Sequence, residues 1–144
     1  MKLIQDLILT FGGLGKLPKA PGTWGSIGAV LLWLVVPQEI PFRICLILLF
    51  SILGFYFCTA EVNESEDKDP SYIVIDEVIG MWISLLFVDS LSVMIVGFIL
   101  FRILDIFKPS IIYHSQIFNG AVGIILDDVI AGIFVSLILI GVIV

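Results

Sequence analysis

Hydrophobic positions in this chain come in long runs, not in alternation. Apolar stretches occupy 26–36, 42–60, 73–88, 90–106 and 121–144, parted by proline, glycine and charged residues. Runs of this length predict helices, and their apolarity predicts helices that meet lipid. The expected architecture is all-α: a polytopic membrane helical bundle of about five apolar segments, forming a single domain over 1–144. Ahead of them, Leu3, Ile4, Leu7, Ile8 and Phe11 recur every three to four residues. That spacing suits an N-terminal interfacial helix with Lys2, Gln5 and Asp6 toward water. A first turn packed on other helices fits the same spacing.

Segment lengths qualify this picture. A perpendicular crossing needs about 20 residues, and about 17 at the lower end. The run 26–36, closed by Pro37 and Pro41, is short unless its helix starts near Thr23 or crosses only part of the bilayer. The stretch 73–106 reads as two tight crossings turned at Asp89-Ser90, or as one crossing with an oblique partner. The first option brings the total to five.

Composition supports the membrane class. The chain is 60% hydrophobic and 14% charged, with a mean hydropathy of +1.19. Soluble domains average about 45–50% apolar and about 25% charged. Gln5 and Asp6 interrupt the first apolar stretch, so no cleaved signal is expected. Cys45 and Cys58 fall in the run 42–60 without a CxxC spacing and are expected to be core residues. With five crossings and residues 1–25 in the cytoplasm, Lys2, Lys16, Lys19, Lys68, Arg102 and Lys108 gather inside and Arg43 alone lies outside, in keeping with the positive-inside rule. The polar constellations gather on that same inner face.

Those constellations are mostly acidic and sit within apolar sequence: Asp76-Glu77, Asp105 and Asp127-Asp128. Glu61 and Asp69 bracket the charged loop before them. A charge in hydrocarbon costs about 2.5–3.5 kcal/mol even on the lenient insertion scale, so such residues mark function. Carboxylates sharing one pocket repel each other, and a divalent cation removes that conflict. Hard oxygen donors and a single histidine favour Mg²⁺ over zinc or copper, and Mg²⁺ in turn favours a phosphorylated substrate. The candidate metal ligands are Glu61, Asp69, Asp76, Glu77, Asp105, Asp127 and Asp128, with Asp76, Glu77, Asp127 and Asp128 also the candidate catalytic residues. Arg102, Asp105 and Lys108 are each three apart and share a helical face. That row reads either as phosphate-binding cations beside a ligand, or as an Arg102–Asp105 ion pair with Lys108 snorkelling to the interface. The glycine-rich stretch Phe11–Ser26 feeds the first apolar run, where Thr23 or Ser26 can cap a helix and contact an anion. Thr23, Ser26, Arg102 and Lys108 are therefore the candidate substrate-binding residues.

Four of these stretches, in this order, resemble the phosphatidylglycerophosphatase A family: Ala20-Pro21-Gly22-Thr23-Trp24-Gly25-Ser26; Asp69-Pro70-Ser71 followed by Ile73 to Trp82; Phe101 to Pro109; and Gly123 to Gly132. The resemblance spans about residues 11–135. It implies an all-helical enzyme of the bacterial cytoplasmic membrane that uses Mg²⁺ to hydrolyse phosphatidylglycerophosphate to phosphatidylglycerol and phosphate on the cytoplasmic side. It also implies that the matched acids form the metal site. The expected partners are the bilayer and a phospholipid substrate, with no nucleic acid; no oligomeric state follows. The loop after Pro109 departs from the family, carrying Tyr113-His114-Ser115-Gln116 where further basic residues are usual. His114 reads as a general acid or simply as a surface residue.

A mechanism follows from the residue types. No Cys-x5-Arg loop is present, one histidine excludes a paired-histidine phosphatase, and Asp67-Lys68-Asp69 only faintly echoes an aspartyl-phosphate motif. Direct attack by a metal-activated water is expected, with one of Asp76, Glu77, Asp127 or Asp128 as base. The competing classes are a carboxylate-lined, ion-coupled transporter or channel subunit and a lipid phosphotransferase.

Overall fold

The computed structural model describes residues 2–65, 67, 70–107 and 120–143. It contains α1 (Lys2–Leu9), a 3-10 turn (Leu14–Lys16), α2 (Pro21–Trp33), α3 (Ile40–Glu64), α4 (Ile75–Ser84), α5 (Leu91–Phe107) and α6 (Ala121–Ile143), and no strand among the described residues. The helices follow the predicted runs. The chain turns between α4 and α5 at Asp89-Ser90, as expected.

Proline sets two of the starts. Pro21 is the first residue of α2, where its missing N–H is not needed and its fixed φ suits the helix. Its helix therefore begins five residues before the apolar run it carries. Pro41 does the same in the first turn of α3. Neither Thr23 nor Ser26 caps α2: the capping position is Ala20, in left-handed conformation, and the Ser26 hydroxyl donates back to the Gly22 carbonyl at 2.9 Å.

Length separates the helices into two groups. α3 and α6 are long and apolar enough to cross a membrane. α2, α4 and α5 have 13, 10 and 17 residues, so α4 covers only about 15 Å. α4 is instead the centre of the fold. Ile75, Val78, Ile79, Met81, Trp82 and Leu85 are fully buried, because this stretch is apolar all round and the other helices enclose it.

Indole N–H groups tie α2 to α4 in both directions. Trp33 donates to the Leu85 carbonyl and Trp82 to the Ala29 carbonyl, each at 3.0 Å, and the two rings stack with centroids 5.6 Å apart. α6 lies against α4 backbone to backbone. A Cβ added at Gly80 would come 2.5 Å from the Asp128 carbonyl oxygen, and one at Gly132 would strike the Gly80 carbonyl. Two glycines thus permit the crossing, as small residues do where helices pack closely.

Two expectations about polar residues change. α1 has the opposite polarity to the one its spacing suggests: Leu3, Ile4 and Leu7 are exposed, whereas Gln5 bonds to Glu61 and Asp6 pairs with Lys16. Its apolar side faces outward because its polar residues find partners inside. Arg43, expected as a lone outer charge, is 1% exposed. It donates to the carbonyls of Leu86 and Val88, pairs with Asp89 at 2.9 Å, and lies over the Trp33 ring. It satisfies carbonyls that the short α4 leaves unpaired at its C-terminal end.

Candidate active site

Asp76 and Glu77 occupy the first turn of α4, where the helix dipole favours negative charge. Asp128 projects from α6, and the Gly80–Gly132 crossing brings it to them. One ligand atom from each of Asp76, Glu77 and Asp128 lies within 4.8 Å of the others. Asp76 Oδ1 and Glu77 Oε2 are sealed from solvent and have no hydrogen-bond partner among the described residues. Burial pushes the Asp76 carboxyl well above its ordinary range, with Glu77 and Asp128 adding to the effect. Burial raises Glu77 as well, and Asp105 pushes it further up while Arg102 draws it down.

Such a cluster is unfavourable as it stands, since three acids face one another in a dry site. Two sealed carboxylate oxygens aimed into one space fit a hard divalent cation, and Mg²⁺ matches the all-oxygen donor set.

Arg102, from the last turns of α5, closes one side. Its Nη1 pairs with Asp105 Oδ2 at 2.6 Å and reaches Ser26 Oγ of α2 at 3.5 Å, while its buried Nε keeps no partner. The ion pair that the three-residue spacing allowed is therefore present, and Asp105 holds Arg102 beside the acids instead of joining the group of three. Gly22, in the first turn of α2, completes the wall. A Cβ there would strike Glu77 Oε1 and lie 3.2 Å from Arg102 Nη1. The first turn of α2 can approach the acids only because residue 22 has no side chain.

The candidates from the sequence thus divide. Asp76, Glu77 and Asp128 converge, with Arg102, Asp105 and Ser26 at their edge; Thr23 follows Gly22 on the same turn of α2. Asp127 is buried beside Asp128 on α6 but outside the group of three. Glu61 stands elsewhere: its Oε1 accepts the Tyr72 hydroxyl at 2.5 Å and its Oε2 accepts the Gln5 amide at 2.7 Å. Asp69, Lys108 and His114 lie outside the described residues. Gly22, Gln5 and Tyr72 were not singled out from the sequence. Gly22 lay inside the quoted Ala20–Ser26 motif, and its proline-glycine pair was the available signal.

A protein-family model described as phosphatidylglycerophosphatase A matches residues 7–143. A Bacteroides thetaiotaomicron protein provisionally named phosphatidylinositol-3-phosphatase is 38% identical, over 94% of this chain and 91% of its own length. Phosphatidylglycerophosphatase A of Haemophilus influenzae is 36% identical over 91% of this chain and 83% of its own length. The Escherichia coli protein of that name is 34% identical over 84% of this chain and 73% of its own length. No solved structure matches.

Proposed function

Because the chain belongs to the phosphatidylglycerophosphatase A family, and so is a phosphatase, we propose that it hydrolyses the phosphomonoester of phosphatidylglycerophosphate. The products are phosphatidylglycerol and inorganic phosphate, the cofactor is Mg²⁺, and the site opens on the cytoplasmic face of the membrane. The observation that carries this reading is the buried convergence of Asp76, Glu77 and Asp128 beside Arg102.

Asp76, Glu77 and Asp128 would hold the cation. When bound, Mg²⁺ supplies positive charge to the phosphate oxygens and offsets the repulsion among the three acids. Arg102, held by Asp105, presents its unpartnered Nε toward the phosphate and counters charge that builds up on the oxygens in the transition state. The first turn of α2 at Gly22 and Thr23 adds backbone N–H groups at a helix N-terminus, which favours an anion. A carboxylate among Asp76, Glu77, Asp127 and Asp128 accepts the proton of the attacking water. The phosphorus–oxygen bond to the glycerol breaks, and that oxygen takes up a proton as phosphate departs.

Membrane placement follows from α3 and α6. The bond from Tyr72 to Glu61 sets the segment leading to Asp76 at the C-terminal end of α3, whereas Arg43 and Asp89 mark its other end. Lys16 and Lys19 lie in the loop that packs on the site's end, which supports placing that end at the cytoplasm. The exposed Leu3, Ile4 and Leu7 of α1 suit the adjoining lipid interface.

A second substrate is favoured by one observation. The Bacteroides relative, at 38% identity, carries a name for a different phosphorylated lipid. Its bond is also a phosphomonoester on a lipid headgroup, so the same acids and Arg102 would serve it. The experiment measures phosphate release by purified protein from phosphatidylglycerophosphate and, separately, from phosphatidylinositol 3-phosphate, with Mg²⁺ or EDTA. Release from the first lipid that requires Mg²⁺ and vanishes in Asp127→Asn/Asp128→Asn is expected. Preference for the inositol lipid would transfer the reading to that substrate. Mg²⁺-independent release would refute the cofactor, and a covalent phospho-enzyme would refute direct attack by water.

A further inference from the structure

Glu61 was expected among the metal ligands, yet its carboxylate is committed to other groups. Tyr72 donates to Oε1 and Gln5 donates to Oε2, joining the end of α3 to α1 and to the segment before α4. Two backbone contacts hold the same segment. The Val74 N–H donates to the Leu9 carbonyl at 2.8 Å, and the Tyr72 carbonyl is packed so closely on Gly15 that a Cβ there would strike it. Residues 72–74 are thus fixed by α1, by α3 and by the 3-10 turn. Asp76 and Glu77 begin the helix that follows at once, with Val74 as its capping residue.

We propose that Glu61 is a positioning residue for the cation site: by holding the Tyr72 hydroxyl, with Gln5 as second donor, it fixes the segment that presents Asp76 and Glu77. This inference rests on the metal-dependent phosphatase reading above. Tyr72 suits the task, because its bond to Glu61 pushes the phenol up to about 12 and keeps it a donor at working pH. The three side chains also line a cavity of about 600 Å³ with Lys2, Asp6, Lys16 and Glu64. Loss of the hydroxyl therefore leaves Glu61 to water instead of stranding a buried charge, and the variants fold.

The test is Mn²⁺ binding to the purified full chain in detergent, with free ion counted by electron paramagnetic resonance, alongside phosphate release. Tyr72→Phe and Glu61→Ala should each weaken Mn²⁺ about tenfold, the lower range for partners that orient a ligand. The double variant should be no weaker than either single one, because both break the same bond. Glu61→Gln, whose amide oxygen still accepts the hydroxyl, should stay within about threefold of the parent, whereas Asp76→Asn should lose the ion. Loss of the ion in Glu61→Gln would make Glu61 a ligand and overturn the proposal. Parental binding by Tyr72→Phe, or additive effects in the double variant, would overturn it too. A parent chain that binds Mn²⁺ with this dependence on Tyr72 but releases no phosphate would refute the substrate reading and leave the positioning role standing. A parent chain that binds no Mn²⁺ would refute the metal site and the positioning role together.

Discussion

Gly80→Ala probes the contact on which the site depends, and its effect can be worked from the packing. The new methyl would lie 2.5 Å from the Asp128 carbonyl oxygen, about 0.9 Å inside the 3.4 Å at which ordinary contact begins. It would also lie 2.7 Å from the Phe101 ring, which is fully buried and has nowhere to go. A carbonyl in a helix cannot rotate away, so α6 must back off from α4 by most of an ångström. Overpacking of this kind costs about 1–3 kcal/mol, against roughly 1 kcal/mol regained from replacing a helical glycine. Stability should therefore fall only modestly. The larger effect is on the site, since Asp128 moves with α6 while Asp76 and Glu77 stay on α4. A displacement near 1 Å at a reacting centre costs on the order of 10²-fold in rate. The assay is kcat/KM for phosphate release at saturating Mg²⁺, with thermal unfolding as the companion measurement. Gly141→Ala, where an added Cβ meets nothing within 4 Å, is the control and should be neutral. A folded Gly80→Ala enzyme with parental kcat/KM and cation affinity would refute the claim that this crossing sets the metal site.

Other outcomes follow from named contacts. Gly22→Ala would drive Glu77 and Arg102 apart and should lower activity by about 10–10²-fold while sparing the fold, measured by kcat/KM and by thermal unfolding. Arg102→Gln removes the cation at the edge of the acids and should cost about 10²–10³ in kcat, with Mn²⁺ binding retained; loss of the ion instead would give Arg102 a different role. Arg43→Leu leaves the Leu86 and Val88 carbonyls unpaired and should destabilise the fold by about 1–3 kcal/mol. Its activity per folded molecule should hold, since Arg43 sits at the far end of α3. Tyr72 predicts an alkaline signature. Its folded pKa of about 12 exceeds the ordinary 10.0, so the stability it contributes is complete below the unfolded value and is lost as pH rises from 10 to about 12. Between those limits the parent chain should lose more stability than Tyr72→Phe in parallel denaturation series, and identical slopes would contradict the bond to Glu61.

Much of this protein is determined locally and is legible in its residues alone. Long apolar runs make helices in any arrangement, so the class, the helix positions and the turn at Asp89-Ser90 follow from pattern. The Arg102–Asp105 pair follows from three-residue spacing on one helix. Carboxylates in apolar sequence identify themselves as functional by the cost of their burial. The tertiary structure alone decides which of them meet. Asp76 and Glu77 join Asp128 because Gly80 and Gly132 let two backbones touch, and a hydrophobic run carries no register that announces such a crossing. The same holds for Glu61, drawn to Tyr72 and Gln5, and for α1, whose polar side turns inward because its partners lie on α3 and the 3-10 turn. Periodicity tells which residues share a face of one helix; which face meets which depends on the close approach of backbones far apart in the chain.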